Sequence, residues 1–591
     1  MKQFNYEIKN PNEIQQALYE LEHHVNSFSC SSILFHLYSI NFTDEEILQI
    51  QNAINVAYPD AEIGGTSTNG DICDGHLNEQ GMVISVSVFE NSTASVHMFK
   101  CPQNYETKIG EKICELVDND STIKALEILI TLKVINSYDV LSEIEKCRSD
   151  VIIFGGGSAA ADIADAHTKV IGNNNVVHSG VLIIVYRGND LHIDVHHAIG
   201  WKPLGKDFVV TKISGKRLFE LDNIPAGKIY SRYLGIDADD DFFSNILEFP
   251  FMTYQHGHEV LRMPFSCRED DGSILLAGNL AKGSIINLSY GDPEVIREDV
   301  TKLKNIVSDF APQSIFLYSC GVRRYYWKYL INKETSPFSS IAPVSGFYSS
   351  GEIMRMGSNI IEHHVTLIAI SMREGEKNSI QPSTIKEVSL NQPEEFKLHN
   401  QISMVRRLAN FINATTSDLK LANEELQQIA DTDDLTGIYN RRMIDKLCES
   451  AISRANKYNL QLLIGIVDID DFKEVNDNYG HDIGDKVLKG IAKALSDSLD
   501  GVPGSFFGRW GGEEFFFLIP NVTSKSIIDM IEERRITVSN LKFDIVGSKT
   551  LSIGITDFKK GDTLESIFKR ADDALYEAKN TGKNKICVKK T

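Results

Sequence analysis

The sequence predicts a multidomain chain of mixed α/β and α+β class: a two-part α/β region, a coiled-coil helix linker and a C-terminal α/β domain. Three observations predict it. Over the first 375 residues, short β-rich apolar runs alternate with amphipathic stretches. Apolar residues then recur at heptad spacing through a segment free of Pro and Gly. From Asp431 on, αβ units follow one another as in one compact domain. The expected boundaries are 1–215, 216–375, 396–430 and 431–591.

In the front region, Ser32 to Leu37, Gly81 to Phe89, Val151 to Phe154 and Val181 to Tyr186 have the apolar continuity of buried strands. Glycines punctuate them at Gly64-Gly65, Gly155-Gly156-Gly157, Gly200 and Gly205. Two of these places echo each other. The segments ending in Gly70-Asp71-Ile72 and Gly351-Glu352-Ile353 share a glycine, hydroxyl residues, a second glycine, an acid and an isoleucine. The echo predicts two related, ligand-facing loops. His192 and His196 face one way along a strand and His197 the other, so they read as strand histidines on a polar face and not as a metal cluster. His256, His258, His363 and His364 read the same way. The polar stretch Arg373 to Glu395, with Gly375, Pro382 and Pro393, marks a domain boundary.

The linker places Val405, Leu408, Ile412, Leu419, Ala422, Leu426 and Ile429 on one stripe, with Thr415 in the remaining slot. The alternating spacing of three and four fits a two-stranded parallel coiled coil, and therefore a homodimer. The alternative is an amphipathic helix docked on a neighbouring domain.

Composition bounds the partners. Of 591 residues, 42% are hydrophobic and 24% charged, as in a soluble globular protein, which excludes collagen-like, mucin-like and wholly disordered chains. The net charge of −21 is uneven. The first 430 residues carry 36 basic and 55 acidic side chains, and the remainder 24 and 26. So acidic a front region is a poor surface for nucleic acid or anionic lipid, and neither is expected as a partner. No apolar run reaches the roughly 18–20 residues of a membrane span, and the N-terminus lacks the apolar core of a signal peptide. Nine scattered cysteines without a Cys-x-x-Cys pair point to a reducing cytoplasm.

The chemistry concentrates in the C-terminal domain. The apolar run Leu462 to Val467 ends in Asp468-Ile469-Asp470-Asp471, placing two carboxylates at i and i+2 where a buried strand runs out. Carboxylate oxygens beside a free main-chain carbonyl suit Mg²⁺. The alternative is a solvated turn. Arg509-Trp510-Gly511-Gly512-Glu513-Glu514 lies between two apolar runs, and the Gly-Gly pair reads as a hairpin turn. Adjacent glutamates there repel unless a cation lies between them. Asn476 and Asp485, nine residues apart, offer a donor and acceptor set for a guanine edge, on a polar loop entering a helix near Lys486. Asp485 also sits where an N-cap belongs, and His481 where a loop histidine is ordinary. Lys579 and Lys583 flank a Gly-capped helix end, suited to a triphosphate or to the helix dipole.

Together these motifs resemble the GGDEF domain of diguanylate cyclases, over Asp431 to Val588. The match runs through Asp433-Asp434-Leu435-Thr436-Gly437, Asp468 to Lys473, Asn476-Asp477, Gly480 to Asp485, Gly511 to Phe515, Leu551 to Ile555 and Ala571 to Lys585. The resemblance implies that Asp468, the Ile469 carbonyl and Glu513, with Glu514 nearby, hold Mg²⁺ or Mn²⁺. It makes Glu513 the base for a 3′-hydroxyl. It assigns Asn476, His481 and Asp485 to the nucleotide and Lys473, Lys579 and Lys583 to phosphate. The implied reaction joins two GTP into cyclic di-GMP across a dimer; the alternative is a degenerate receptor that binds GTP or cyclic di-GMP without turnover. The family's inhibitory Arg-x-x-Asp site is replaced by Val502 and Ser505, which implies weak product inhibition.

The front region resembles the FIST sensory domain in its N- and C-terminal halves, over Ser31 to Ser371. The supporting residues are Gly64 to Ile72, Gly155 to Ala159, Gly200 to Gly205 and Gly346 to Ile353. That resemblance implies a small-molecule sensory ligand of the amino-acid class, with no ligand residue assigned.

Overall fold

The computed structural model describes residues 1–25, 30–162, 165, 167–377, 394–458, 460–496, 504–520 and 524–590. It divides into two compact units, Met1–Thr415 and Thr416–Thr591.

The front unit is built on a threefold repeat. Each repeat contributes an antiparallel pair, two parallel strands and a short hairpin. The parallel strands are Ser32–Ser39 with Glu62–Ser67, Ile123–Ile130 with Ile152–Gly157, and Ser314–Cys320 with Val344–Ser349. The hairpin that follows each pair leaves its own sheet. Asp71–Cys73 joins the sheet of Val344–Ser349, Glu352–Met356 joins that of Ile152–Gly157, and Val170–Gly172 joins that of Glu62–Ser67. The exchange is cyclic, so the three six-stranded sheets have the same order of elements and none closes without its neighbours.

Three glycines make the repeat possible. Gly65, Gly155 and Gly346 stand beside Leu37, Ile128 and Leu317 on the parallel partner strands. A Cβ at these positions would lie 2.1, 1.9 and 1.9 Å from the carbonyl oxygen of that partner. His36, Glu127 and Phe316 precede those partners at equivalent positions, in the core shared by the three sheets. Glu127 is fully buried. Its oxygens accept from Tyr186 and Tyr318 at 2.6 Å each, and His36 Nε2 lies 3.1 Å away. Burial alone would raise the Glu127 carboxyl; His36 and the two phenols outweigh it and hold the group below its ordinary value.

The echo at Gly70 and Gly351 is thus two copies of a three-copy device. The loops hold one another, and Ser349 and Ser350 of the third-repeat copy also line a cavity of the front unit. Asn69 donates to the carbonyls of Ala160 and Ala161, Thr66 to the Ser158 hydroxyl, and Ser350 to the Ser158 carbonyl. Strands from the segments 1–215 and 216–375 thus share two of the three six-stranded sheets. Between the strand Leu191–Ala198 and the helix Pro293–Phe310 the third repeat carries an insertion built on an eight-stranded sheet. The helix starts where Asp292 caps the Glu294 and Val295 amides, and it buries Ile296, Val300, Leu303 and Val307. His192, His196 and His197 do lie on a strand. His363 and His364, in contrast, are buried and not on a polar face.

The linker is one helix, Glu394–Asp431. In its front part Met404, Leu408, Phe411 and Ala414 pack on the insertion core, and Arg407 Nη2 donates to Asn245 Oδ1 at 2.7 Å. Leu408 is therefore docked and leaves the expected seam. Val405, Ile412, Leu419 and Ile429 stay more than 60% exposed, so an apolar stripe remains for another helix. The Leu426 side chain, most of the expected boundary at 373–395, and Val502 lie outside the described residues.

The rear unit is a five-stranded sheet ordered Phe506–Gly511, Glu514–Pro520, Leu462–Ile469, Leu551–Asp557, Ile586–Lys589. Every residue of Leu462–Ile469 is buried. Its side chains alternate between two cores. Leu463, Val467 and Ile469 meet the helix His481–Ser496; Leu462, Ile464 and Ile466 meet Arg441–Tyr458 and Leu564–Asn580.

The repeat makes a stability prediction. Gly155→Ala or Gly346→Ala should cost about 2–4 kcal/mol by forcing two backbones apart. Gly205→Ala, with open space around it, should stay within about 0.5 kcal/mol of the parent. Denaturant melts of the three variants check this; equal costs would show that the close approach is not limiting.

Candidate active site

The central strand ends at the site. The alternation places Asp468 on the face covered by Leu564–Asn580, and from the last turn of that helix Lys579 Nζ reaches Asp468 Oδ2 at 2.7 Å. Asp468 pairs with Glu514 across the sheet. Burial pushes the Asp468 carboxyl up to about 6; Glu513 and Glu514 add to the rise and Lys579 opposes it. Burial also raises Glu514, with Asp572 and Glu513 adding to it against Lys579 and Arg441.

Asp470, read with Asp468 as a carboxylate pair, has a different job. It accepts from Thr550 Oγ1 and Ser552 Oγ at 2.6 Å each and from the Asn584 amide at 3.0 Å. It ties the strand end to the last loop and has no oxygen lone of a partner. Asp471, left-handed at φ 56°, pairs with Lys583. Two of the three lysines expected on phosphate, Lys579 and Lys583, thus rest on carboxylates at the strand end.

The signature hairpin turns one residue later than its glycines suggest. Gly511 pairs with Glu514, so the turn residues are Gly512, at φ 55°, and Glu513. The ladder is irregular between Arg509 and Gly511. Arg509 fixes this turn: its Nε and Nη2 donate to the Gly512 carbonyl at 3.0 and 2.8 Å, and its Nη1 meets Asp433 at 3.2 Å. Asp433 also accepts from the Thr436 amide and hydroxyl. Both residues stand in the sequence motifs without a visible role. Their separation of 76 positions hides the contact.

Asn476 is on a helix, Phe472–Tyr479, and not in a loop. The next helix begins at His481, not near Lys486. Asp485 therefore lies inside it, and the N-cap reading is withdrawn. Gly484 is required here: a Cβ would lie 2.0 Å from Asn476 Oδ1. Its absence seats the Asn476 amide against the helix that carries Asp485. Both side chains are half-buried, while Lys473 and His481 are exposed.

Among the described residues no group of three or more His, Cys, Asp or Glu side chains is assembled for a metal ion. The donor set nevertheless fits a hard divalent cation. Asp468 and Glu514 are opposed across a ladder, Glu513 stands on the adjoining turn, and both glutamates add to the rise of the Asp468 carboxyl that burial causes. The Ile469 carbonyl is the main-chain oxygen at the same strand end.

Comparison with known proteins identifies the domains. A family model described as the diguanylate cyclase GGDEF domain matches residues 430–585. Models of the FIST N domain and the FIST C domain match 33–224 and 226–355. The diguanylate cyclase DgcP of Pseudomonas aeruginosa is 36% identical over 190 residues, which is 31% of this chain and 28% of that protein. VdcA of Vibrio cholerae is 38% identical over 189 residues, 30% of this chain and 54% of that protein. The chain thus spans about half or less of the length of these curated relatives. A solved structure of the coiled coil and GGDEF domain of DgcB from Caulobacter crescentus, in complex with c-di-GMP, is 30% identical. It covers 32% of this chain and 100% of that one, at a TM-score of 0.30. The chain belongs to the proteins in which FIST N and FIST C domains precede a C-terminal GGDEF domain.

The raised Asp468 gives a pH prediction. Its folded value lies above the unfolded one of about 4. It therefore favours the metal-free fold below that value and loses this contribution as pH rises through about 6. A divalent cation needs the charged form. Mg²⁺ should raise the melting temperature at about pH 7.5 and do little at about pH 5. Equal shifts at both would contradict the placement of Asp468 in the cation site.

Proposed function

We propose that this chain is a cytoplasmic, ligand-regulated diguanylate cyclase, which joins two GTP into cyclic di-GMP and releases two pyrophosphates. The observation that carries the reading is the Asp468–Glu514 opposition under the Glu513 turn, with Lys579 between helix and strand. Nine free thiols accord with a reducing compartment.

Asp468, the Ile469 carbonyl, Glu513 and Glu514 are the residues that would hold Mg²⁺ or Mn²⁺. Such an ion, when bound, neutralises triphosphate charge and polarises the attacked phosphorus. Asn476 and Asp485 take the guanine edge, with Asp485 accepting from its N–H groups. His481 contacts the nucleotide from the helix start. Lys473, Lys579 and Lys583 exchange their carboxylate or solvent partners for phosphate oxygens. Glu513 accepts the proton of the 3′-hydroxyl as that oxygen attacks the α-phosphorus of the facing GTP. The α-phosphorus to β-oxygen bond breaks, and pyrophosphate carries the electron pair away. The step occurs twice, so two rear units face each other. The exposed stripe of Val405, Ile412, Leu419 and Ile429 suits the coiled-coil homodimer this requires. Front-unit ligands act by shifting the population of productive dimers.

Glu513→Gln should lower cyclic di-GMP formation by at least ~10²–10⁴-fold while GTP still binds. Near-parental turnover would remove Glu513 from the mechanism. Asp485→Ser should relax the preference for GTP over ATP, because the carboxylate no longer stands unpaired opposite adenine. Competing-substrate turnover reads this out, and an unchanged preference would assign guanine recognition elsewhere.

A further inference from the structure

The front unit holds a cavity of about 520 Å³, in the size range of small-molecule sites. Leu132, Phe243, Met263, Phe265, Leu275 and Val322 give it a largely apolar wall. Its polar groups are already engaged. Glu362 presents one oxygen to His364 Nε2 at 3.1 Å, and the other accepts from Ser137. His364 is packed closely between two glycines: a Cβ on Gly278 would lie 2.8 Å from its Nε2, and one on Gly351 3.0 Å from its Cε1. The Ser349 hydroxyl donates to Glu352 and that of Ser350 to the Ser158 carbonyl.

The charges are matched as well. Lys133 donates to the Asp165 carbonyl at 2.6 Å. Burial lowers its ammonium, and the Asp165 and Asp162 carboxylates oppose this by attraction. Glu362 faces Lys216, and it also attracts the buried Arg262. Burial would raise the Glu362 carboxyl, but His364, Lys216 and Ser137 overcome this and hold it down to about 2, so it is charged at neutral pH. The cations Lys133, Lys216 and Arg262 thus stand against the carboxylates Asp162, Asp165 and Glu362, and neither sign is left in excess among them. A charged ligand entering here would give up its hydration and find each opposite charge engaged. An uncharged one with an apolar body gains from burial without that loss.

One wall of the cavity also touches the linker. Phe243 belongs to the short helix Phe242–Ile246 and stacks on Phe265, with ring centroids 5.7 Å apart. Asn245, on the same helix, accepts from Arg407 at both its backbone and side-chain oxygens. Glu248, two residues past the helix end, lies 4.0 Å from the same guanidinium.

We propose that this cavity binds an uncharged small molecule with an apolar body, discriminates against acids, amines and zwitterions alike, and reports its occupancy to the linker helix through the helix Phe242–Ile246 and Arg407. Phe243, Met263 and Phe265 meet the body. The ligand class departs from the amino acids that the FIST resemblance implies. The coupling rests on the reading of the linker as the regulatory element, whereas the binding site does not.

Calorimetric titration of the full chain at neutral pH, without nucleotide, tests the site. The uncharged probes are 3-phenylpropanol and 3-phenylpropanamide; 3-phenylpropionate, 3-phenylpropylamine and phenylalanine are their anionic, cationic and zwitterionic counterparts. Both uncharged probes should bind, and each charged one at least about tenfold more weakly. Leu275→Trp and Ala277→Leu add bulk at two places on the wall. Each should weaken 3-phenylpropanol binding at least about tenfold, with a thermal melt of the free variant to confirm its fold. A charged probe that binds as tightly as the uncharged ones overturns the ligand class, as does no binding of either uncharged probe at millimolar concentration. Parental affinity in a folded wall variant overturns the site. Hydrogen exchange with bound 3-phenylpropanol tests the coupling: protection should change over 242–248 and 404–411 in the parent, and the change at 404–411 should be lost in Arg407→Ala. Binding without such a change overturns the route. Because neither readout uses GTP, their failure is distinguishable from absence of cyclase activity.

Discussion

Asp468 and Glu514 face each other across the central ladder with Glu513 on the next turn, and the rear unit is arranged around that concentration of negative charge. Directly opposed residues of an antiparallel pair have Cβ atoms about 5 Å apart, and two unit charges at that separation would repel by about 3 kcal/mol at an effective dielectric of 20. That exceeds what one ordinary hydrogen bond returns, so a cation is required. Lys579 supplies it from the end of a helix whose Ala571, Ala574, Leu575 and Ala578 are fixed in the core. On the proposed reading, a metal-bound triphosphate would bring its own cation and give the lysine an anion in exchange. The constraint explains why the neighbouring acid, Asp470, is satisfied by Thr550, Ser552 and a backbone amide: a third unneutralised charge at the strand end would add to the repulsion.

The same turn is where the linker enters. Asn440 donates to the carbonyls of Ala430 and Thr432, and Arg442 to that of Ala430, so the end of the linker helix is tied to the rear unit. A few residues on, Asp433 holds Arg509, and Arg509 holds the carbonyl of Gly512, next to Glu513. Arg441 lies over Trp510, 4.4 Å from its ring centre, bracing the same strand. A movement of the linker end therefore has a continuous set of contacts by which to reach the turn. In the front unit the corresponding contact is Arg407 on Asn245.

The rear unit was largely legible in the sequence because its chemistry is local. The Asp468 strand end, the Glu513-Glu514 turn and the Asn476 and Asp485 pair each lie within short windows, and the structure keeps each at an element end or on adjoining helices. What was misread turns on contacts between windows. Asp470 looked like a second ligand because its partners lie some 80 residues away or more. Arg509 and Asp433 had no visible role for the same reason. Periodicity placed Leu408 in a seam, yet Met404, Leu408 and Phe411 also form a face, and burial against the insertion decides between them. In the front unit the echo at Gly70 and Gly351 was visible, but the third copy, which starts at Gly155, has Ala160 in place of that glycine and lacks the following acid. The cyclic exchange of hairpins is long-range by nature, and no local pattern encodes it.

The most direct measurement is to incubate the full chain with GTP and Mg²⁺ and resolve the products by mass. The account predicts cyclic di-GMP and pyrophosphate in a ratio of one to two. Folded protein that binds GTP and Mg²⁺ yet leaves the nucleotide intact would contradict it and make the rear unit a receptor.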